Sequence, residues 1–162
     1  MVEQQSAGLA VRQSVVVDAP PERAFALFTD GMSSWWPMAS YSIAPGPMAA
    51  AVVEPREGGR WFERSEDGTE CDWGRVVAWD PPARVVLAWQ ISADWSHDAG
   101  LHTEIEVRFT AEGEGRTRVD LEHRGLEAYA ERAEQMRTVL GSDNGWAGLL
   151  RAFAATAAKS EV

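Results

Sequence analysis

Hydrophobic spacing changes period along the chain, and the changes mark out elements. Residues 9–17, LAVRQSVVV, are rich in valine and read as a first strand. Asp18, Ala19, Pro20 and Pro21 follow, placing an acidic residue and proline where helices start. ERAFALFT then sets Ala24, Phe25, Leu27 and Phe28 at helical spacing, giving a short helix with one apolar face. Gly31 interrupts it, SSWWP predicts one more turn, and Pro37, Pro45 and Pro47 enforce a loop through PMASYSIAPGPM.

From residue 50 the signals are those of successive hairpins. AAVVEPR and RWFERS are short strands separated by Gly58 and Gly59, and Glu66-Asp67-Gly68 is a turn. CDWGRVVAW, a turn at Asp80-Pro81-Pro82-Ala83, and RVVLAWQIS come next. ADWSHDAGL is too long and polar for a tight turn and reads as a mobile loop over one end of the sheet. In TEIEVRFT, Ile105, Val107 and Phe109 alternate with Glu104, Glu106 and Arg108, the mark of a sheet with one wet side. Glu112-Gly113-Glu114-Gly115 turns the chain into RTRVDLEH, where Val119 and Leu121 continue the dry face.

The tail changes to a period of about 3.6 residues. EAYAERAEQMRTVL is predicted helical, Gly141 stops it, and Ser142 or Asp143 caps a second helix, NGWAGLLRAFAATAAK. Trp146, Leu149, Leu150, Phe153 and Ala157 form its apolar stripe. With no repeat, low-complexity tract or second composition regime, residues 1–162 are read as a single domain. The fold class is α+β. A curved six- to seven-stranded antiparallel sheet grips the long C-terminal helix, with two short helices after the first strand. A twisted sheet does not sit flush on a straight helix, so a gap is expected between them.

Composition changes this picture in one respect. Apolar residues make up 45% and charged residues 25%, ordinary globular values, but there are eight tryptophans. Smaller hydrophobes fill cores with less shape constraint, so some of these rings are expected to line a cavity. The formal net charge of −10 repels phosphate backbones and anionic lipid, which argues against nucleic-acid and membrane partners. No apolar run approaches the roughly 18 residues that span a bilayer. Cys71 is the lone cysteine, and MVEQQSAGLAVRQ has neither the basic nor the apolar segment of a signal peptide, so a cytoplasmic location is expected.

The ordered set VVVDAPPERAFALFT, SSWWP, EPREGGRWFER, DGTECDWGRVVAWDPPARVVLAW, TEIEVRF, LEHRGLE and GWAGLLRAF resembles the helix-grip, or START-like (SRPBCC), superfamily. Within it the set resembles the branch named after the C-terminal domain of the activator of Hsp90 ATPase. The resemblance covers nearly the whole chain. It implies the helix-grip fold and a superfamily of lipid, sterol, hormone or polyketide binders that includes cyclases and hydrolases.

Candidate chemistry is sparse. His97 and His102 are five apart in a predicted loop, which matches no common metal-site spacing. GEGEG lies between two strands and carries acids that repel phosphate, so neither metal nor cofactor is called for. Cys71 sits between Glu70 and Asp72, which raise its pKa, and reads as a packing residue. Glu70 and Asp72 are themselves candidates for a polar spot at a cavity rim. His123 falls on the dry face. It serves either as a hydrogen-bond partner or proton carrier for a ligand, or as a structural histidine bonded to the protein.

Val85, Leu87 and Trp89 alternate inward, and Trp73, Val77 and Trp79 share a parity that fits the same face unless a bulge at Gly74 reverses it. The candidate ligand-binding residues are Trp73, Trp89 and His123 from the strands, Phe28, Trp35 and Trp36 after the first strand, and Trp146, Leu150 and Phe153 on the long helix. Each ring has the alternative of filling a core. The expected function is a non-catalytic binding or carrier module for a small hydrophobic or aromatic ligand. The alternatives are a cofactor-free cyclase or hydrolase using the same cavity, and a protein-interaction module in which Trp95 meets a partner. A homodimer is compatible with the predicted sheet edges.

Overall fold

In the computed structural model, which describes residues 9–38 and 41–159, the valine-rich opening forms β1 (Ala10–Val17). Residues 1–8 of the N-terminal stretch, Ala39 and Ser40 of the predicted loop, and residues 160–162 lie outside the described residues. Pro21 opens α1 (Pro21–Phe28), where a missing N–H leaves no helical bond unmade, and Ala24, Phe25 and Phe28 are buried. The SSWWP turn is a 3₁₀ turn at Met32–Ser34.

Six further strands follow: β2 (Met48–Val53), β3 (Arg60–Ser65), β4 (Glu70–Asp80), β5 (Arg84–Trp89), β6 (Thr103–Ala111) and β7 (Thr117–Arg124). With β1 they form one antiparallel seven-stranded sheet ordered β1-β7-β6-β5-β4-β3-β2. The chain closes with a 3₁₀ segment (Leu126–Arg132), α2 (Ala133–Leu140) and α3 (Trp146–Lys159). All five residues of the predicted α3 stripe are buried against the dry face, which Ile105, Val107, Phe109, Val119 and Leu121 supply as their alternation predicts. No helix among the described residues is long and apolar enough to cross a membrane.

Four local expectations are corrected. In β4 Trp73 is inward and Trp79 packs on the core, but Val77 is 39% exposed and Val76 takes the inward place. The register slips at Trp73 against β3 and at Val77 against β5, and each bulge shifts the alternation by one residue. Gly74 sits between them because a Cβ there would overlap the Ala88 carbonyl across the ladder.

Glu70 and Asp72 do not make a cavity rim. They pair with Arg60 at 3.0 and 2.8 Å, and Arg60 lies over the Phe62 ring, whose parity is opposite to that of inward Trp61. The helix predicted over 127–140 breaks at Ala130 (φ 57°, ψ −122°), where Tyr129 turns its ring into the core before α2 begins. Finally, α3 starts at Trp146 rather than Asn144. Ser142 Oγ accepts from the Asn144 N–H, and the Gly145 carbonyl takes the first helical bond, from Leu149.

Candidate functional site

The sheet and α3 part at the end nearest α2, leaving a cavity of about 320 Å³. Its aromatic wall is Trp36, Trp73, Trp89 and Trp146, and Trp95 stands at its edge. Tyr41, Ser42 and Ile43 close one side from the loop before β2, and Ile91 extends the wall past β5. The α2–α3 corner supplies Leu140, Asn144, Gly145 and Leu149. A Cβ at Gly145 would overlap the Leu140 carbonyl, so the corner's tightness depends on that glycine. Among the described residues, none that lines the cavity is acidic, basic or a histidine.

The four wall indoles share an arrangement: each N–H is bonded on the protein side. Trp36 Nε1 donates to the Tyr41 carbonyl at 2.8 Å, and Trp73 Nε1 to Glu63 Oε1 at 2.8 Å. Trp89 Nε1 donates to the Tyr129 hydroxyl at 2.9 Å, and Trp146 Nε1 to His123 Nδ1 at 3.0 Å. With their polar edges held in this way, the rings offer carbon to the cavity. Tyr129 in turn donates to the Ile91 carbonyl at 2.6 Å, and burial pushes its pKa up to about 12.

His123 stands behind the wall. Thr103 Oγ1 gives its proton to the Trp89 carbonyl (2.9 Å), so it accepts from His123 Nε2–H (2.9 Å), and Nδ1 is left to accept from Trp146. Both ring nitrogens are used, the side chain is fully buried, and burial lowers its pKa to about 3. It is a neutral fixed tautomer that orients Trp146.

Glu63 is the residue the sequence reading passed over. Fully buried on β3, it accepts from Ser42 Oγ (2.6 Å), Ile43 N (2.8 Å), Ala44 N (3.3 Å) and Trp73 Nε1 (2.8 Å), tying the loop wall to the sheet wall. Its signal was parity, since it lies two residues from inward Trp61. Trp95 is held differently. Its φ of 62° is set by a turn in which its N–H donates to the Ser92 carbonyl, closed by the Ser92 N–H to Ser96 carbonyl bond and an Ile91–His97 bridge. The stretch read as a mobile loop thus contains a hydrogen-bonded turn.

Of the expected ligand residues, Trp36, Trp73, Trp89 and Trp146 come together around the cavity. Phe28, Trp35 and Phe153 do not line it. They pack on one another at 5.1–5.4 Å between centroids, beneath α1. Leu150 is buried in the core, and its neighbour Leu149, one step round α3, faces the cavity instead. Cys71 is half-buried, and its thiol pKa is pushed up by burial first, then by Glu63 and Asp72. Among the described residues no group of three or more His, Cys, Asp or Glu is placed to hold a metal ion.

A curled seven-stranded antiparallel sheet with a terminal helix across its concave side defines the α+β helix-grip class, and the proteins similar to this one belong to the START-like superfamily. The chain belongs to the family described as Activator of Hsp90 ATPase homolog 1-like protein, whose family model matches residues 18–158. Among solved structures it is similar to the anthrahydroquino-Gama-pyrone synthase Txn09. That match has 38% identity and a TM-score of 0.64, and covers 90% of this chain and 95% of that one. It is also similar to CalC, a self-sacrificing resistance protein from Micromonospora echinospora, with 31% identity, a TM-score of 0.66 and coverage of 91% and 92%. The Aha1 dimer from Colwellia psychrerythraea, 18% identical with a TM-score of 0.58 over 95% and 99%, shares the fold. No curated protein matches the chain.

Proposed function

We propose that the protein is a binding or carrier module, a single domain over residues 1–162, that takes a small, flat, mostly aromatic molecule into the cavity beside α3. One observation carries this reading. Four indoles with their N–H groups committed to the protein surround a space of about 320 Å³, within the usual size of small-molecule sites. Ring contact and apolar burial hold the ligand. The Tyr41 hydroxyl and the Asn144 side-chain amide, which form no hydrogen bond among the described residues, orient it.

The likeness to a synthase favours a second reading, in which the same cavity orients an aromatic substrate for a cofactor-free cyclisation. In that case Tyr41 and Asn144 are the polar groups at hand, because His123 is sealed behind Trp146. A homodimer through sheet pairing falls to the β1 edge, because Ser33 Oγ bonds both the N–H and the carbonyl of Ala51 on the β2 edge.

Native mass spectrometry of protein from its own host, followed by tryptophan-fluorescence titration with whatever co-purifies, tests the proposal. A stoichiometric small apolar species that quenches emission saturably is the expected result. Emission unchanged across a library of polycyclic aromatics and lipids, with nothing co-purified, overturns it. Chromatography of the same mixtures separates the readings, since the carrier returns its ligand unchanged and the cyclase does not.

A further inference from the structure

The cavity wall is built of uncharged residues. Among the described residues its lining contains no Lys, Arg or His, and the acids next to the rim residues Trp95 and Asn144 hold the cations they meet: Asp94 pairs with Arg132 at 3.3 Å and Asp143 with Arg151 at 3.4 Å. An anion entering this space leaves water for a site with no counter-charge, which is costly.

Behind the wall the balance is reversed. The fully buried Glu63 carboxylate bonds to Ser42, Ile43 and Trp73, all of which line the cavity, and its four donors are neutral groups. Among the described residues it forms no ion pair, so its charge is not cancelled locally and its field reaches the cavity through a low-dielectric wall. The rings add to it. An aromatic face is the negative pole of a quadrupole, and every wall indole donates its N–H to an acceptor, which pushes electron density onto that face. The rings are inclined to one another: Trp36 to Trp73 at 37° and 4.9 Å, Trp36 to Trp146 at 73°, and Trp89 to Trp146 at 63°. The rings touch one another, and a compact group in the cavity beside them therefore meets aromatic surfaces in several orientations.

We propose, resting on the reading of this cavity as a ligand site, that its occupant is an organic monocation, an aryl amine or quaternary ammonium. The cavity prefers such a cation to its neutral isostere and rejects anionic amphiphiles. Quaternary ammonium groups suit such a box because aromatic enclosures recognise them through ring faces.

The test needs no variant for its main arm. Tryptophan emission is titrated with benzyltrimethylammonium, with its uncharged carbon isostere neopentylbenzene, and with phenylacetate. The expected result is saturable quenching by the cation, at least about tenfold tighter than by the isostere, with none by phenylacetate. Glu63→Gln, which keeps the shape and removes the charge, brings the ratio between cation and isostere towards one. Should that variant not fold, Trp73→Phe, which removes the indole that Glu63 polarises, reduces the ratio instead. Neopentylbenzene or phenylacetate binding as tightly as the cation overturns the charge preference while leaving the cavity a ligand site. Silence towards all three probes and towards neutral polycyclic aromatics overturns both.

Discussion

Beneath α1, Phe25, Phe28, Phe109, Trp35 and Phe153 meet at 5.1–5.9 Å between centroids, and the space between sheet and helix is filled. At the other end of α3, Trp36, Trp73, Trp89 and Trp146 stand at 4.9–6.5 Å and surround a cavity. The spacing overlaps, so it does not explain why one end is solid and the other hollow. The anchoring differs: the solid end has a single indole, Trp35, bonded to the nearby Leu27 carbonyl at 3.0 Å, whereas three of the four indoles at the hollow end are bonded to side chains from other elements. Phenylalanine is oriented by packing alone and settles where neighbours close on it, whereas an indole held at its N–H by Glu63, Tyr129 or His123 keeps its position with one face uncovered. The walls of the hollow end are thus fixed by buried hydrogen bonds.

That division can be broken by experiment. Phe153→Ala, at the solid end, should have the largest effect, a loss of about 3–5 kcal/mol by urea denaturation, with affinity for an aromatic probe nearly unchanged. A parallel loss of affinity would show that the two ends are not independent. At the hollow end the anchoring of Trp146 is pH-sensitive. His123 has a folded pKa of about 3 against an unfolded value of about 6.5, so between these the unfolded chain holds the extra proton and stability rises with pH. The contribution is complete above about pH 6.5 and falls by about 1.4 kcal/mol per unit on acidification. Denaturation between pH 6.5 and 5, before most carboxylates titrate, should show this slope. His123→Gln should flatten it, and an unchanged slope would remove His123 from the account.

The smallest effect on stability belongs to Trp95→Gly. A left-handed φ of 62° suits glycine and the indole is 43% exposed, so stability should change by no more than about 1 kcal/mol, in the direction of a gain. Probe affinity should fall several-fold. Unchanged affinity would mean that Trp95 stands clear of the occupant.

How far the site was legible in the sequence depends on the residue. Trp73 and Trp89 were readable because alternation fixes which side of a sheet a residue faces, and Trp146 because helical spacing fixes the stripe of α3. Val77 was misplaced because a bulge leaves no clear mark in composition. Glu63 was passed over, although its parity with Trp61 was available, because a lone carboxylate in a strand normally marks the wet face. Tyr41, Asn144 and Gly145 lie in loops and corners, where neither period applies. His123 was placed on the dry face correctly, yet nothing local says whether a buried imidazole meets a ligand or an indole.

The sequence by itself determined the α+β class, the dry face of the sheet and the stripe of the terminal helix, because periods of two and about 3.6 are properties of the local backbone. The tertiary structure alone decided which end of the sheet–helix gap is filled and which is hollow. It also decided that Glu63, Tyr129 and His123 anchor the rings around the hollow, with partners 10, 40 and 23 residues away in the chain. The physical reason is that a cavity is set by where hydrogen bonds between distant segments stop the walls from closing, and no local pattern records those distances.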